Sequence, residues 1–555
     1  MEIIKTENLT FTYKSGEKKI LDNINFSVNE GEFILLCGPS GSGKTTFLRH
    51  LKHLIAPTGN VSGNIYYKGE DIQKTNERTL VSEIGYVFQN PESQIVCDRA
   101  FAEMAFGLEN LGFSSNEIRR RVAEMASFFG IEHYFESDTH TLSGGQKQLL
   151  NLASIMVMQP SVILLDEPTS MLDPVSTNEF LTIVDKINKG LGHTVIICEH
   201  QLENVYSMVD KVCFMEEGKI SAFDTPENVA KKLIAENNPM TYALPTSARI
   251  FSNLSEDKSF KPSEIPLNVR EGRRFLKDIV SKIESPDFSK IKNTDGNARY
   301  NENDTALLLR NAYFRYQKDL PDVLKNIDLA VCYGEIHSIL GGNGVGKTTL
   351  LSILCGINRP YRGKLKNNTD KGNILYLPQN PQLVFVKDTV LEDLHFILDH
   401  NKLDQGLLDQ TIKKYDFFHG IETLFNLNPL DLSGGEQQQT ALLKLLILSP
   451  KVLILDEPTK GLDAFAKNNL SKILLELKEE GVAILLVTHD LEFAAEFSDR
   501  CIMMFNGEIV SSDRPVSFFS NNHFYTTGSS KISKNILEHT ITVKGVTENV
   551  KLLAD

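Results

Sequence analysis

The chain has 555 residues, of which 41% are hydrophobic and 23% charged, and carries a net charge of −14. A single core rarely grows past about 250–300 residues, so this length predicts several domains, and the composition is that of folded globular protein rather than disorder. The acidic balance argues against nucleic acid as a partner, and seven scattered cysteines with no CxxC pair argue for reduced thiols rather than a disulfide frame or zinc site.

The chain opens on Met1-Glu2-Ile3-Ile4-Lys5, which is unlike a signal peptide, and no apolar run reaches the ~18 residues a bilayer requires, so a cytosolic protein is expected. A β-like segment, Glu2-Ile3-Ile4-Lys5, leads through an aromatic and basic stretch to the apolar strand Phe33-Ile34-Leu35-Leu36. A glycine loop follows, Gly38-Pro39-Ser40-Gly41-Ser42-Gly43-Lys44-Thr45, and then a helical pattern from Thr46. The loop fits G-x-x-x-x-G-K-[ST], in which glycines turn backbone N–H groups around phosphate oxygens. The helix N-terminus adds partial positive charge there, Lys44 reaches the β- and γ-phosphates, and Thr45 ligates Mg²⁺.

Further along, Leu142-Ser143-Gly144-Gly145-Gln146 opens a helix 23 residues before Asp166. The run Ser161-Val162-Ile163-Leu164-Leu165-Asp166 is short and continuously apolar, as in a strand buried on both faces of a mainly parallel sheet. Phosphoryl transfer needs a metal ion, in-line positioning and a group that orients the attacking water. Asp166 suits the metal shell, Glu167 the general base, and His200, closing the strand Val195-Ile196-Ile197-Cys198, a contact to the γ-phosphate. A lone histidine at a strand end is more often structural; its recurrence in the second half reverses that expectation.

Residues 236–304 lose this pattern and read as a linker with one short helix at 269–283. From there the set repeats: the strands Ala306-Leu307-Leu308-Leu309 and Ile336-His337-Ser338-Ile339, the loop Gly341-Gly342-Asn343-Gly344-Val345-Gly346-Lys347-Thr348 with Thr349 after it, and Leu432-Ser433-Gly434-Gly435-Glu436. Lys451-Val452-Leu453-Ile454-Leu455-Asp456, Glu457 and His489 complete it. Lys44 recurs as Lys347 at an offset of 303; Gln89, Ser143 and Asp166 recur at 290 and His200 at 289. Two α/β domains are therefore expected, residues 1–235 and 305–520, and the tail at 521–555 has no counterpart in the first half. The second half is 13 residues shorter between lysine and glutamine (32 against 45), so its accessory β-region should be trimmed.

The Ser-Gly-Gly elements resemble the signature of ATP-binding cassette (ABC) proteins, with the Walker A, Q-loop, Walker B, D-loop and H-loop elements in family order over about residues 1–235 and 305–515. The resemblance implies two tandem P-loop nucleotide-binding domains, each with an accessory β-region and a helical subdomain, that bind ATP with Mg²⁺ and hydrolyse it. It implies further that Gln89 and Gln379 reach the metal and nucleotide, alongside Thr45, Asp166, Thr348 and Asp456, and that Tyr13 and Tyr316, each 31 residues before its lysine, stack on adenine. It also implies head-to-tail pairing within the chain. ATP on Lys44 is then capped by Ser433, Gly434, Gly435 and Glu436, and ATP on Lys347 by Ser143, Gly144, Gly145 and Gln146. The family's basic residue after the signature is replaced by Leu149 and Gln439, and its glutamine by Glu436. No phosphate or metal ligand is lost, so both sites are expected to be competent.

The stretch Gln89-Asn90-Pro91-Glu92-Ser93-Gln94-Ile95-Val96 with Glu103 to Asn110 resembles the cassette of energy-coupling factor (ECF) importers of vitamins and transition-metal ions, in which the glutamine at the Gln94 position lies on a short docking helix. That implies two membrane partners, a coupling subunit and a substrate-binding subunit, with this chain peripheral on the cytoplasmic face. The second half aligns Val384 with Gln94, and Phe385 and Val386 offer an apolar docking surface instead. Pro266 to Arg274 resembles the region between halves in fused ECF ATPases. Two other readings remain open: a soluble twin-cassette ATPase acting on the ribosome, against which the net charge and near-neutral linker count, and a fused sugar-importer ATPase, in which one site is typically degenerate.

Overall fold

A computed structural model describes the chain except for residues 15, 17, 256–263, 284–303, 370–372, 419 and 555. It comprises two compact units, Met1–Ala248 with Ser263–Asn268, and Arg249–Pro262 with Val269–Asp555. Much of the stretch read as a linker, including 256–263 and 284–303, lies outside the described residues.

In the first unit a six-stranded sheet runs Lys219–Asp224, Lys211–Glu216, Phe33–Cys37, Thr194–Cys198, Val162–Asp166, Ile84–Val87, parallel except for the first pair. Every residue of Phe33–Cys37, Val162–Asp166 and Thr194–Cys198 is buried, which accounts for their unbroken apolar runs. The carboxyl ends of these three strands deliver the glycine loop, the Asp-Glu pair and His200 to one edge, the usual place for ligands in an open α/β sheet. An antiparallel sheet of four strands, Lys19–Asn29, Glu2–Tyr13, Gly59–Tyr67 and Glu70–Asp71, forms the accessory β-region. The helices Ala100–Asn110, Ser115–Phe129 and Gly144–Met156 pack together as the helical subdomain. Ser114 caps the second of these, which ends at Gly130 with φ 66°, a left-handed stop that glycine adopts without strain.

The second unit repeats this plan. Its six-stranded sheet runs Ile374–Leu377, Val452–Asp456, Ala483–Val487, Ile336–Leu340, Arg500–Phe505, Glu508–Asp513, with only the last pair antiparallel. Among the described residues the accessory sheet has three strands, Leu324–Cys332, Thr305–Phe314 and Arg362–Asn367, as the shorter sequence predicts. In the helical subdomain Lys444, on Gly434–Leu446, donates to Asp393 Oδ2 at 2.6 Å and to the Val384 carbonyl at 2.6 Å, with side chains only 7% and 1% exposed. The residue 290 positions earlier is Ser154, and there Glu103 instead receives the amides of Val96 and Cys97. Breaking a buried ion pair strands the surviving charge, so Lys444→Met is expected to destabilise the second unit by about 3–5 kcal/mol in denaturant unfolding.

The helix expected at 269–283 spans Val269–Ser281. Residues 521–555, set apart as a tail, form the helices Gly528–Ser533 and Val543–Ala554. Their apolar faces share one core with that helix and with Thr246–Ser255: Ile250, Leu254, Phe275, Leu276, Val546 and Val550 are all buried in it. Linker and tail are thus halves of one helical cluster in the second unit. Helical periodicity is a local signal and says nothing about a partner some 250 residues away.

Candidate nucleotide-binding sites

Both glycine loops wrap their lysines. Lys44 Nζ donates to the carbonyls of Gly38 and Pro39 at 3.0 and 2.8 Å, and Lys347 Nζ to those of Gly341 and Gly342 at 2.8 Å each. Gly38 and Gly341 have φ near 150°, and a Cβ on either would meet the carbonyl oxygen of Met215 or Met504 at 2.0 or 2.5 Å. Only glycine permits this approach. Ser42 Oγ is buried without a hydrogen-bond partner, which suits a loop built to receive phosphate oxygens. The helices that follow begin at Lys44 and Lys347, so their first N–H groups point into the loop.

Thr45 Oγ1 donates to Asp166 Oδ1 at 2.9 Å, and Thr348 Oγ1 to Asp456 Oδ2 at 2.9 Å, which places each expected metal-binding pair in contact. Burial raises both aspartic carboxyls above their ordinary value, and the adjacent Glu167 or Glu457 charge adds to it. Such a carboxylate beside a hydroxyl and a phosphate loop fits an oxygen-liganded Mg²⁺. Glu167 Oε2 accepts from Gln89 Nε2 at 2.8 Å and Oε1 lies 2.9 Å from His200 Nε2. Glu457 repeats this, with Gln379 Nε2 at 3.0 Å and His489 Nε2 at 3.1 Å. Burial works to raise these glutamates, but the neighbouring histidine together with Lys44 in the first cassette, or with Lys460 and Gln379 in the second, outweighs it: Glu167 sits below its ordinary value and Glu457 falls to about 2. Both are therefore held ionised.

The two signature serines cap the helices Gly144–Met156 and Gly434–Leu446. Ser143 Oγ accepts from the Gln146 amide and Gln146 Oε1 from the Ser143 amide; Glu436 makes the same reciprocal box with Ser433. Glu436 thus preserves the helix start. It differs in one contact: the Ser433 hydroxyl also donates to the Glu436 carboxylate at 2.6 Å. Tyr13 and Tyr316 reach Thr46 and Thr349 through their hydroxyls at 3.3 and 2.9 Å, and the two residues are 39% and 60% exposed.

The family model of the ABC transporter matches residues 21–170 and 324–460, once on each repeat. The chain belongs to the ABC transporter family. A Bacillus cereus protein named as an ABC transporter ATP-binding protein is 37% identical over 98% of this chain and 97% of its own length. A namesake from Methanosarcina mazei is 30% identical over 92% of this chain and 88% of its own. Among solved structures, cbiO1 from Clostridium perfringens, part of the ABC transporter complex cbiONQ, is 33% identical with a TM-score of 0.39, over 43% of this chain and 94% of that one. The protein is an ABC ATPase with two cassettes, and its hydrolysis energises transport. Among the described residues no helix is long and apolar enough to cross a membrane.

Several residues of the cassettes escaped motif reading. Tyr86 donates to Asp166 Oδ2 at 2.8 Å and Tyr376 to Asp456 Oδ2 at 3.3 Å. They recur at the Q-loop offset of 290, which is the signal that could have found them. Glu199 is fully buried, accepts from both N and Oγ1 of Thr169 at 3.0 and 2.7 Å, and is pushed by burial to about 8. The second cassette replaces this clamp with a hydroxyl contact, Thr459 to Thr488 at 3.2 Å. Glu167 and Glu457 both have left-handed backbones, φ 47° and 53°, held by hydrogen bonds from their amides to the Cys198 and Val487 carbonyls. Such strain in a non-glycine residue collects where side-chain direction matters.

Proposed function

We propose that this chain energises import of a micronutrient, a vitamin, vitamin precursor or transition-metal ion, through the separate coupling and substrate-binding membrane subunits of an ECF-type transporter. The observation that carries this reading is a set of exposed apolar side chains just beyond each Q-loop glutamine. Val96 is 64% exposed, with Phe101 and Phe106 on the next helix also open; in the second cassette Leu383 is 73% and Val386 62% exposed. Unpaired apolar side chains in this density suit a membrane-subunit partner. Gln94 itself contributes less than its motif suggests. It follows the single turn Pro91–Ser93, and its amide is spent on the backbone of Phe88 and Tyr86 at 3.0 and 3.3 Å. Phe385 likewise packs inward against the core.

In the proposed chemistry the loop amides with Lys44 and Lys347 hold the triphosphate, Tyr13 and Tyr316 the base, and Thr45, Asp166, Thr348 and Asp456, with Gln89 and Gln379, the metal. Mg²⁺ supplies positive charge to the β- and γ-phosphate oxygens. Glu167 and Glu457, ionised and aimed by their left-handed backbones, take the proton of the attacking water, while His200 and His489 lie beside them to contact the γ-phosphate. The two cassettes pair head to tail, each signature completing the other's site. Purification from membranes under native conditions should bring integral membrane proteins with this chain; ribosomal subunits in their place would overturn the transport reading in favour of a ribosomal one.

A further inference from the structure

Three ligating side chains converge in the second unit, away from its nucleotide loop. Cys332 ends the strand Leu324–Cys332, and Glu335 and His337 follow a tight turn, His337 within Ile336–Leu340. Their donor atoms all lie within 4.8 Å of one another. His337 is 0% exposed and Cys332 4%, while Glu335 is partly open to solvent.

The first unit provides an internal control. At the positions 303 residues earlier stand Asn29, Glu32 and Ile34. There Glu32 is fully occupied, receiving the Asn29 amide and side chain at 2.8 and 3.1 Å and Lys211 Nζ at 2.7 Å. The fold therefore requires neither thiol nor imidazole at this corner. An imidazole in a fully buried strand carries a desolvation cost that Ile34 does not. In the second unit that cost is met only by the Glu335 carboxylate beside Nε2, and His337 Nδ1 has no hydrogen-bond partner. His337 Nε2 accepts from the Cys332 amide at 3.4 Å, yet Glu335 Oε2 stands only 3.0 Å from it. A proton on Nε2 or a metal cation between the two atoms holds them at that separation. The His337 imidazole is the main influence that lowers the Glu335 carboxyl, and Arg500 and Arg514 add to it from neighbouring segments.

We propose that Cys332, Glu335 and His337 form a binding site for a divalent transition-metal ion of the zinc class, with a fourth position open to solvent beside Glu335. Thiolate, carboxylate and imidazole are the donors zinc takes at about 2.0–2.3 Å, whereas Mg²⁺ demands oxygens. The spacing Cys-x-x-Glu-x-His escapes a search for paired cysteines, which is why the cysteine pattern argued against zinc. Burial pushes the Cys332 thiol up to about 11, so it stays protonated until a metal displaces the proton. Binding breaks the S–H bond, forms a metal–sulfur bond and releases that proton to solvent; His337 binds through Nε2 with its proton on Nδ1, giving up the long contact from the Cys332 amide, and any proton held between Nε2 and Glu335 leaves to solvent as well.

The test is titration of the full-length protein with Co²⁺ while MgATP saturates the nucleotide sites. One equivalent per chain should produce a thiolate-to-cobalt absorption band that Zn²⁺ abolishes. Cys332→Ser and Cys332→Asn, the latter installing the first unit's residue, should each remove the band, and His337→Ile should weaken cobalt affinity at least about tenfold. Circular dichroism and ATPase activity should be unchanged in all three variants, which separates loss of metal from loss of fold. The absence of a thiolate band in the unaltered protein, as expected if His337 and Glu335 merely share a proton, would overturn the proposal. So would a band that survives both Cys332 substitutions.

Discussion

Replacing Glu167 and Glu457 together with glutamine is expected to lower ATP hydrolysis by about 10²–10⁴-fold, the usual contribution of a general base, while ATP still binds. Glutamine keeps the shape of the side chain and an oxygen for Gln89 or Gln379, so the hydrogen bonds at 2.8 and 3.0 Å can persist. What is lost is the negative charge. That charge is well protected in the unaltered protein, because against the pull of burial His489, Lys460 and Gln379 together lower Glu457 to about 2. Its stabilising contribution is accordingly full above the ordinary glutamate value of 4.5 and is lost as pH falls through about 2. The Glu457→Gln stability difference should therefore narrow in strong acid, and steady-state turnover with equilibrium nucleotide binding at neutral pH checks the kinetic arm. Unchanged turnover in the double variant would remove both glutamates from the role of base. The single variants then report whether the cassettes contribute equally.

Where chemistry imposes spacing, it could be read from the residues alone. A glycine loop between a buried strand and a helix, an Asp-Glu pair ending a second strand and a histidine ending a third were all legible, because each depends on a local pattern and the repeat supplies a second copy of every one. The structure brings Thr45 to Asp166 and Gln89 to Glu167 across 121 and 78 residues. No local pattern specifies those contacts; the metal roles read separately for Thr45 and Asp166 implied only the first of them. What remained hidden was non-local or conformational. Tyr86 has no motif, Glu199 hides between an apolar cysteine and the expected His200, and the left-handed backbone of Glu167 leaves no mark in composition. Gln94 shows the opposite failure, a motif residue whose side chain turns inward to the backbone it follows. Of the helices at 246–255, 269–281, 528–533 and 543–554 only the second was read from the sequence, and their common core was not, since burial is settled only when distant segments meet.

Replacing Ser433 with alanine is expected to slow hydrolysis at the site built on Lys44 by about 10²–10³-fold, the cost of removing one preorganised donor to developing negative charge, and to spare the site on Lys347. Ser143→Ala should produce the mirror result. Each serine also caps its helix, so both variants lose about 0.5–2 kcal/mol locally, and the crosswise pattern rather than the size of the loss carries the argument. Photolabelling with azido-ATP and mapping of the labelled loop resolves the sites; loss on the serine's own side would refute head-to-tail pairing. Glu436 adds a second arm to the same experiment. Its carboxylate draws the Ser433 hydroxyl proton at 2.6 Å, whereas Gln146 returns no such contact to Ser143 and leaves that proton uncommitted. A phosphate arriving at the second signature thus meets an engaged hydroxyl and an extra negative charge. Glu436→Gln should tighten ATP at the Lys44 site by about two- to fivefold, the 0.3–1 kcal/mol of an exposed charge at a helix end, and leave the Lys347 site unaltered. The cassettes would then differ in affinity through the cap that closes each site, while the loops, carboxylates and histidines that carry out hydrolysis stay matched.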